Sequence, residues 1–150
     1  MAIDTTILDN LQQTVLTLQQ SINLSIQQSI NSNQERIKEL QTQEQMYQGM
    51  DSKGIDIKPA YADSTIKIKR RKGQPTDRVT LFDKGDFYNS LEVVAGKSDM
   101  IIRTVISYSV YIVAKYQDVL GLDQESWTKF LDQYTIPIIK NNFDDIITKS

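Results

Sequence analysis

Cysteine and histidine are both absent from this chain of 150 residues. Without Cys there is no disulfide, no zinc–thiolate site and no thiol nucleophile. Without His the chain lacks the commonest general base and the commonest metal ligand. Glycine and proline are scarce, at six and three residues, and Gly85 and Gly96 stand alone rather than in a phosphate-cradling loop. No apolar run reaches the ~18 residues of a membrane span, so no membrane partner is expected. The opening MAIDTTILDN has no basic region ahead of an apolar stretch, so no signal peptide is expected. Net charge is only −2, which gives the whole molecule little attraction to nucleic acid. Hydrophobic residues make up 39%, which predicts a modest core and an extended element that cannot bury itself alone. These features together predict a soluble intracellular α+β domain with a long helix, no cofactor, no metal and no catalytic site. The carboxylates Asp83, Asp86 and Asp99 fit turn and helix-capping roles better than a catalytic pair.

What the chain does have is a long uninterrupted start. Residues 2–48 contain neither Gly nor Pro. Leu8, Leu11, Val15, Leu18 and Ile22 follow one another at alternating spacings of 3 and 4, and Ile26 and Ile30 continue at 4. That spacing marks one face of a helix. The remaining faces are mostly Gln, Ser, Thr and Asn, with eleven Gln in this stretch. Asn31-Ser32-Asn33 interrupts the pattern, and Ser32 with Glu35 fits a capping box, so either one long helix or a helical hairpin is expected. A narrow apolar stripe of this length needs a cover. Three readings remain open: a partner helix or neighbouring subunit, the chain's own domain, or a disordered Gln-rich tail. The chain accordingly divides into a helical arm, 1–48, and an α+β core, 49–150.

The core segment is punctuated by Gly49, Gly54, Pro59, Gly73 and Pro75. Ser64 to Lys69 alternates as a half-exposed strand would, and Arg78 to Phe82 is a second, weaker strand. Gly85 to Ser90 reads as a short helical turn. Leu91–Val94 and Met100–Ile106 form the clearest strand pair, joined by Ala95 to Asp99. An antiparallel sheet of three or four strands packed by helices is therefore expected. Residues 108–119 predict a helix ending at Gly121. Asp123 predicts the N-cap of a last helix with Trp127, Phe130, Leu131 and Tyr134 on its buried face. Pro137 restarts that helix, Thr135 is placed to cap the second piece, and Ile138, Ile139, Phe143, Ile146 and Ile147 continue the apolar face.

Charge is segregated along the chain. Residues 52–84 hold nine Lys or Arg against four Asp, an excess of +5, while residues 1–51 carry −4 and residues 117–150 carry −3. The densest basic cluster is Lys69, Arg70, Arg71 and Lys72. It fits a phosphate contact on DNA or RNA, a contact with a partner or subunit, or a solvated loop. No aromatic residue interleaves it, so base stacking is not supported.

Leu81-Phe82-Asp83-Lys84-Gly85-Asp86-Phe87-Tyr88-Asn89-Ser90-Leu91 resembles a block in the virion-morphogenesis proteins of tailed bacteriophages, the neck, tail-completion and connector-ring proteins. In that family the block is followed by a β-hairpin, a Tyr-containing segment and a C-terminal helix with proline. Residues 91–106, Tyr108 to Tyr116 and Ile136-Pro137-Ile138 correspond here. Lys84 stands where members usually carry Thr, and the His-containing segment of many members is missing. The resemblance implies a structural virion protein, assembled in the host cytoplasm. It would form a ring with copies of itself, joining head to tail beside portal or adjacent neck and tail proteins and helping to retain packaged DNA. It implies no enzymatic step. The long Gln-rich helix is not general to that family; its apolar spacing makes Leu8, Leu11, Val15, Leu18, Ile22 and Ile26 the expected subunit interface, and Lys69, Arg70, Arg71 and Lys72 the candidate DNA or partner contact. A DNA-binding or assembly-chaperone accessory, not retained in the particle, is the alternative.

Overall fold

The structure is a computed structural model that describes residues 5–148. Helix α1 runs Thr5–Ser32 without a break, as expected of a stretch lacking Gly and Pro. It ends where the Asn33 side chain donates to the Ser29 carbonyl at 2.8 Å, satisfying a carbonyl that the helix end would otherwise orphan. Ser32 stays inside α1, so the expected Ser32/Glu35 capping box is replaced by this C-terminal cap on Asn33. The chain bends there and restarts at once as α2, Gln34–Glu39, continuing through a π-helical segment, Leu40–Gln45, and a 3-10 turn, Met46–Gln48.

Helix α3 spans Asp63–Arg71 and α4 spans Asp86–Asn89. Strands β1, Leu91–Ala95, and β2, Met100–Thr104, pair antiparallel with Leu91 opposite Thr104 and Ala95 opposite Met100. Helix α5 follows at Ser109–Lys115, then α6 at Gln124–Phe130. A second π-helical segment, Leu131–Thr135, leads into α7, Ile136–Thr148. Pro137 has no N–H to donate back to the preceding turn, which accounts for a widened turn there. The α+β class stands, with two strands among the described residues in place of three or four.

Both missing strands have physical causes. Ser64 to Lys69 is helical because Asp63 lies in the first turn and Lys69, Arg70 and Arg71 in the last, each complementing the helix dipole. Its two alternating isoleucines do not share one buried face: Ile66 is half-buried and Ile68 exposed. Residues 78–82 run irregularly because side chains, not a neighbouring strand, satisfy their backbone. Tyr61 Oη accepts from the amides of Thr80 and Leu81 at 3.0 Å each. Tyr88 Oη donates to the Thr80 carbonyl at 2.5 Å, and Lys69 Nζ donates to the Phe82 carbonyl at 2.5 Å.

The helix expected over 108–119 is also shorter. It stops at Lys115 because Tyr116 and Val119 turn into the core, so Gly121 lies in a loop and is no helix cap. Asp123 caps α6 as expected, accepting from the Ser126 amide at 2.8 Å. Thr135 does not cap α7; its hydroxyl meets that of Ser29 at 2.7 Å.

Two apolar clusters form the core. One joins Ile30, Ile37 and Leu40 to Leu91, Val93, Ile102 and Phe130, with Ile26, Trp127 and Tyr134 at its edge. The other gathers Met46, Ile57, Val79, Phe87, Tyr88, Tyr116 and Val119. Residues 26–46 thus furnish much of the interior, although they belong to the stretch that the sequence reads as arm. Helix α7 lies antiparallel along the lower half of α1. Thr135 pairs with Ser29, and Asn142 donates to Ser25 at 2.8 Å, so the residue numbers run in opposite directions. The side chains of Ile146 and Ile147, expected on this apolar face, lie outside the described residues.

Candidate functional site

The apolar stripe of α1 has two fates. Ile26 and Ile30 pack beneath the hairpin, and Leu18 and Ile22 are half-buried. Beyond them the stripe is open: Leu8, Leu11 and Val15 are 48%, 57% and 60% exposed, and Ile7 lies beside them at 57%. A helix without Gly or Pro carries these residues straight away from the core, so they cannot fold back onto it. Residues 5–32 contain one charge, Asp9. The face is therefore apolar at its centre and flanked by uncharged amides and hydroxyls.

A second open apolar surface lies on the hairpin. Leu91, Val93 and Ile102 point into the core, so alternation turns Val94, Ile101 and Val105 outward, with Ile101 and Val105 61% and 62% exposed. Tyr108, Val110 and Tyr111 follow in sequence and are exposed as well. The charges on the hairpin's outer face neutralise each other: Arg103 Nε donates to Glu92 Oε2 at 3.0 Å, and these two residues sit opposite in the ladder. This surface went unrecognised at the level of sequence. The signal was the apolar residues at both parities of Met100 to Val105, where a half-buried strand would alternate.

The basic cluster does not act as one unit. Lys69 is 6% exposed, its ammonium held by the Phe82 carbonyl and Gln74 Oε1 and placed 4.9 Å from the Tyr61 ring centroid. It anchors α3 against residues 74–82 and has no access to a partner. Lys72 is paired with Asp83, and that ammonium holds the Asp83 carboxyl below the usual carboxylate range. Arg70 and Arg71 are exposed and, with Lys67, share one face of α3 at i, i+3 and i+4. None of the three makes an ion pair among the described residues.

The polar interior is structural. Gln41 donates to the Val119 carbonyl at 3.0 Å and accepts from the Gly121 amide at 2.7 Å. Gln45 donates to the Gly121 carbonyl at 2.8 Å and accepts from the Asp123 amide at 2.9 Å. Both are fully buried. Two amide side chains four residues apart thus read alternate backbone groups of the 119–123 loop as a strand edge would. Nearby, Glu44 takes hydrogen bonds from Lys129 Nζ at 2.7 Å and Arg36 at 2.6 Å, and these cations hold its carboxyl below the ordinary value.

A cavity of about 300 Å³ lies between residues 56–61 and 76–79, lined by Ile57, Tyr61, Ile66, Arg78 and Val79 among others. Among the described residues no group of three His, Cys, Asp or Glu is placed to hold a metal ion. Among the described residues no helix is long and apolar enough to cross a membrane. No family model, no curated protein and no solved structure matches this chain.

Proposed function

We propose that this protein is a structural component of a tailed-phage particle, self-assembling into a ring in the neck or tail connector. There it joins head to tail and helps retain packaged DNA. The observation that carries the self-assembly is the open stripe Ile7, Leu8, Leu11 and Val15 on a helix rooted in the core. Such a face is unfavourable in a lone monomer and favourable against a partner. The location in a particle rests on the resemblance of residues 81–91 and the segments that follow them. Mass measurement of the purified chain over a range of concentration tests the first part, and a mass fixed at one copy overturns it. Peptide mapping of purified particles tests the second. Presence in infected cells but absence from particles would favour an assembly chaperone.

The free cations Lys67, Arg70 and Arg71 on one face of α3 favour one second reading, a DNA-binding accessory protein. Duplex affinity that falls steeply with salt and is lost in Arg70→Glu/Arg71→Glu would support it. Weak binding unaffected by those changes would remove it.

A further inference from the structure

The two open apolar surfaces differ in kind. One is a helix stripe, the other the outer side of a β-hairpin. Within the chain itself the same pairing already occurs: the second half of α1 brings Ile26 and Ile30 into the apolar cluster under the hairpin's inner face, with Leu91, Val93 and Ile102. We infer that the first half of α1 docks on the outer hairpin face of a second copy, so that the hairpin is held between its own helix and its neighbour's.

Size, charge and covalent continuity agree. The open stripe from Ile7 to Val15 runs eight residues, about 12 Å of helix at 1.5 Å per residue, and so fits within the length of one hairpin strand. A strand of five residues is about 17 Å long. Both surfaces carry little charge: Asp9 is the one charged residue of α1, and on the hairpin Glu92 is paired to Arg103. The basic face of α3 is a poor receptor for this helix, because burying Lys67, Arg70 and Arg71 against uncharged residues would strip them of water without a partner. The helix also cannot reach its own outer hairpin face, since it leaves the core unbroken from beneath the inner one. A contact between unlike patches is heterologous, and repeated from copy to copy it closes into a ring or runs on as a filament. Each patch is built from only a handful of exposed apolar side chains, which places it at the weak end for a single protein–protein contact. Each copy makes two such contacts in a closed ring, so assembly depends strongly on concentration.

This inference rests on self-assembly, and the test separates the two. Wild type is compared by native mass measurement with an arm variant, Leu11→Asp/Val15→Asp, and a hairpin variant, Ile101→Asp/Val105→Asp. All substituted positions are exposed, and circular dichroism checks folding. Each variant alone is expected to need at least about tenfold more protein to assemble, the loss expected of removing a central apolar anchor. An equal mixture is expected to give a heterodimer and nothing larger, because one intact arm meets one intact hairpin. Assembly of the hairpin variant at wild-type concentrations overturns the inference and leaves self-assembly through arm pairing. A monomeric wild type overturns both. Since the chain has no Cys, a second route is open. Copies carrying Leu11→Cys, mixed with copies carrying Ile101→Cys, are expected to cross-link to one another on mild oxidation. Cross-linking of Leu11→Cys copies among themselves, with none to Ile101→Cys, refutes the contact.

Discussion

Gln41 and Gln45 hold a loop whose backbone would otherwise be buried and unpaired. Between them they satisfy Val119 O, Gly121 N, Gly121 O and Asp123 N. Replacing Gln45 by Leu fills the space but leaves two backbone groups without partners, at about 1–3 kcal/mol each. Gln45→Leu is therefore expected to lower unfolding stability by about 2 kcal/mol or more in urea titration, and Gln45→Glu to do so increasingly as pH rises. Tyr88 makes a separate case. Burial pushes its hydroxyl well above the ordinary value of 10.0, and the hydroxyl donates to the Thr80 carbonyl. A group whose pKa is raised on folding stabilises below its unfolded pKa and ceases to as pH climbs through the folded one. Stability should fall above pH 10 in the wild type and fall less in Tyr88→Phe. Glu44 has the opposite sign. Its carboxyl is depressed by Lys129 and Arg36, so its contribution is present above the unfolded value of 4.5 and disappears as pH drops through the lower, folded value. Acid titration of Glu44→Gln should show less loss of stability below pH 4.5 than the wild type. None of these roles was legible in the sequence. One buried Gln looks like any of eleven in a polar run, and a Lys in a basic cluster gives no sign that its ammonium is committed to a carbonyl 13 residues on.

At the level of elements, the sequence was readable where local pattern and tertiary packing agree. Helix α1, the hairpin and the Asp123 cap all combine a period or a cap with burial on the matching face. It misled where a long-range partner decided the outcome. Ser64 to Lys69 has a strand's alternation, yet Lys69 and Ile66 lie three apart on the inward side of a helix that Tyr61 and Phe82 receive. The stripe of α1 was legible as a stripe, but where its cover stops was not, because that is set by how far α7 reaches along it. The consequence is measurable. Leu11→Asp/Val15→Asp should alter the unfolding free energy of dilute protein by no more than about 0.5 kcal/mol, as exposed changes do. Ile30→Ala, on the same stripe but fully buried, should cost about 2–5 kcal/mol.

For the whole molecule, segregated charge and the weakly charged apolar surfaces proposed for docking imply different responses to salt. Contacts between uncharged apolar faces are not screened, so the mass distribution should change little between low and high salt. Nucleic-acid binding through Lys67, Arg70 and Arg71 would weaken sharply over the same range. The proposed assembly would bind only the folded chain, so on that reading the melting temperature should rise with protein concentration, and that rise should vanish in Leu11→Asp/Val15→Asp.

Helix α1 belongs to two places at once. Its first bend comes only at Asn33, so roughly 33 Å of jointless rod separates Leu8 at the tip from Ile30 under the sheet. In the assembly proposed above, a load on the arm at Leu8 and Leu11 would reach Ile30, in the apolar cluster under the gripping copy's own hairpin, along one continuous helix. A ring built on that contact would then couple each seam to the interior of the subunit beside it, so that loosening one would strain the other.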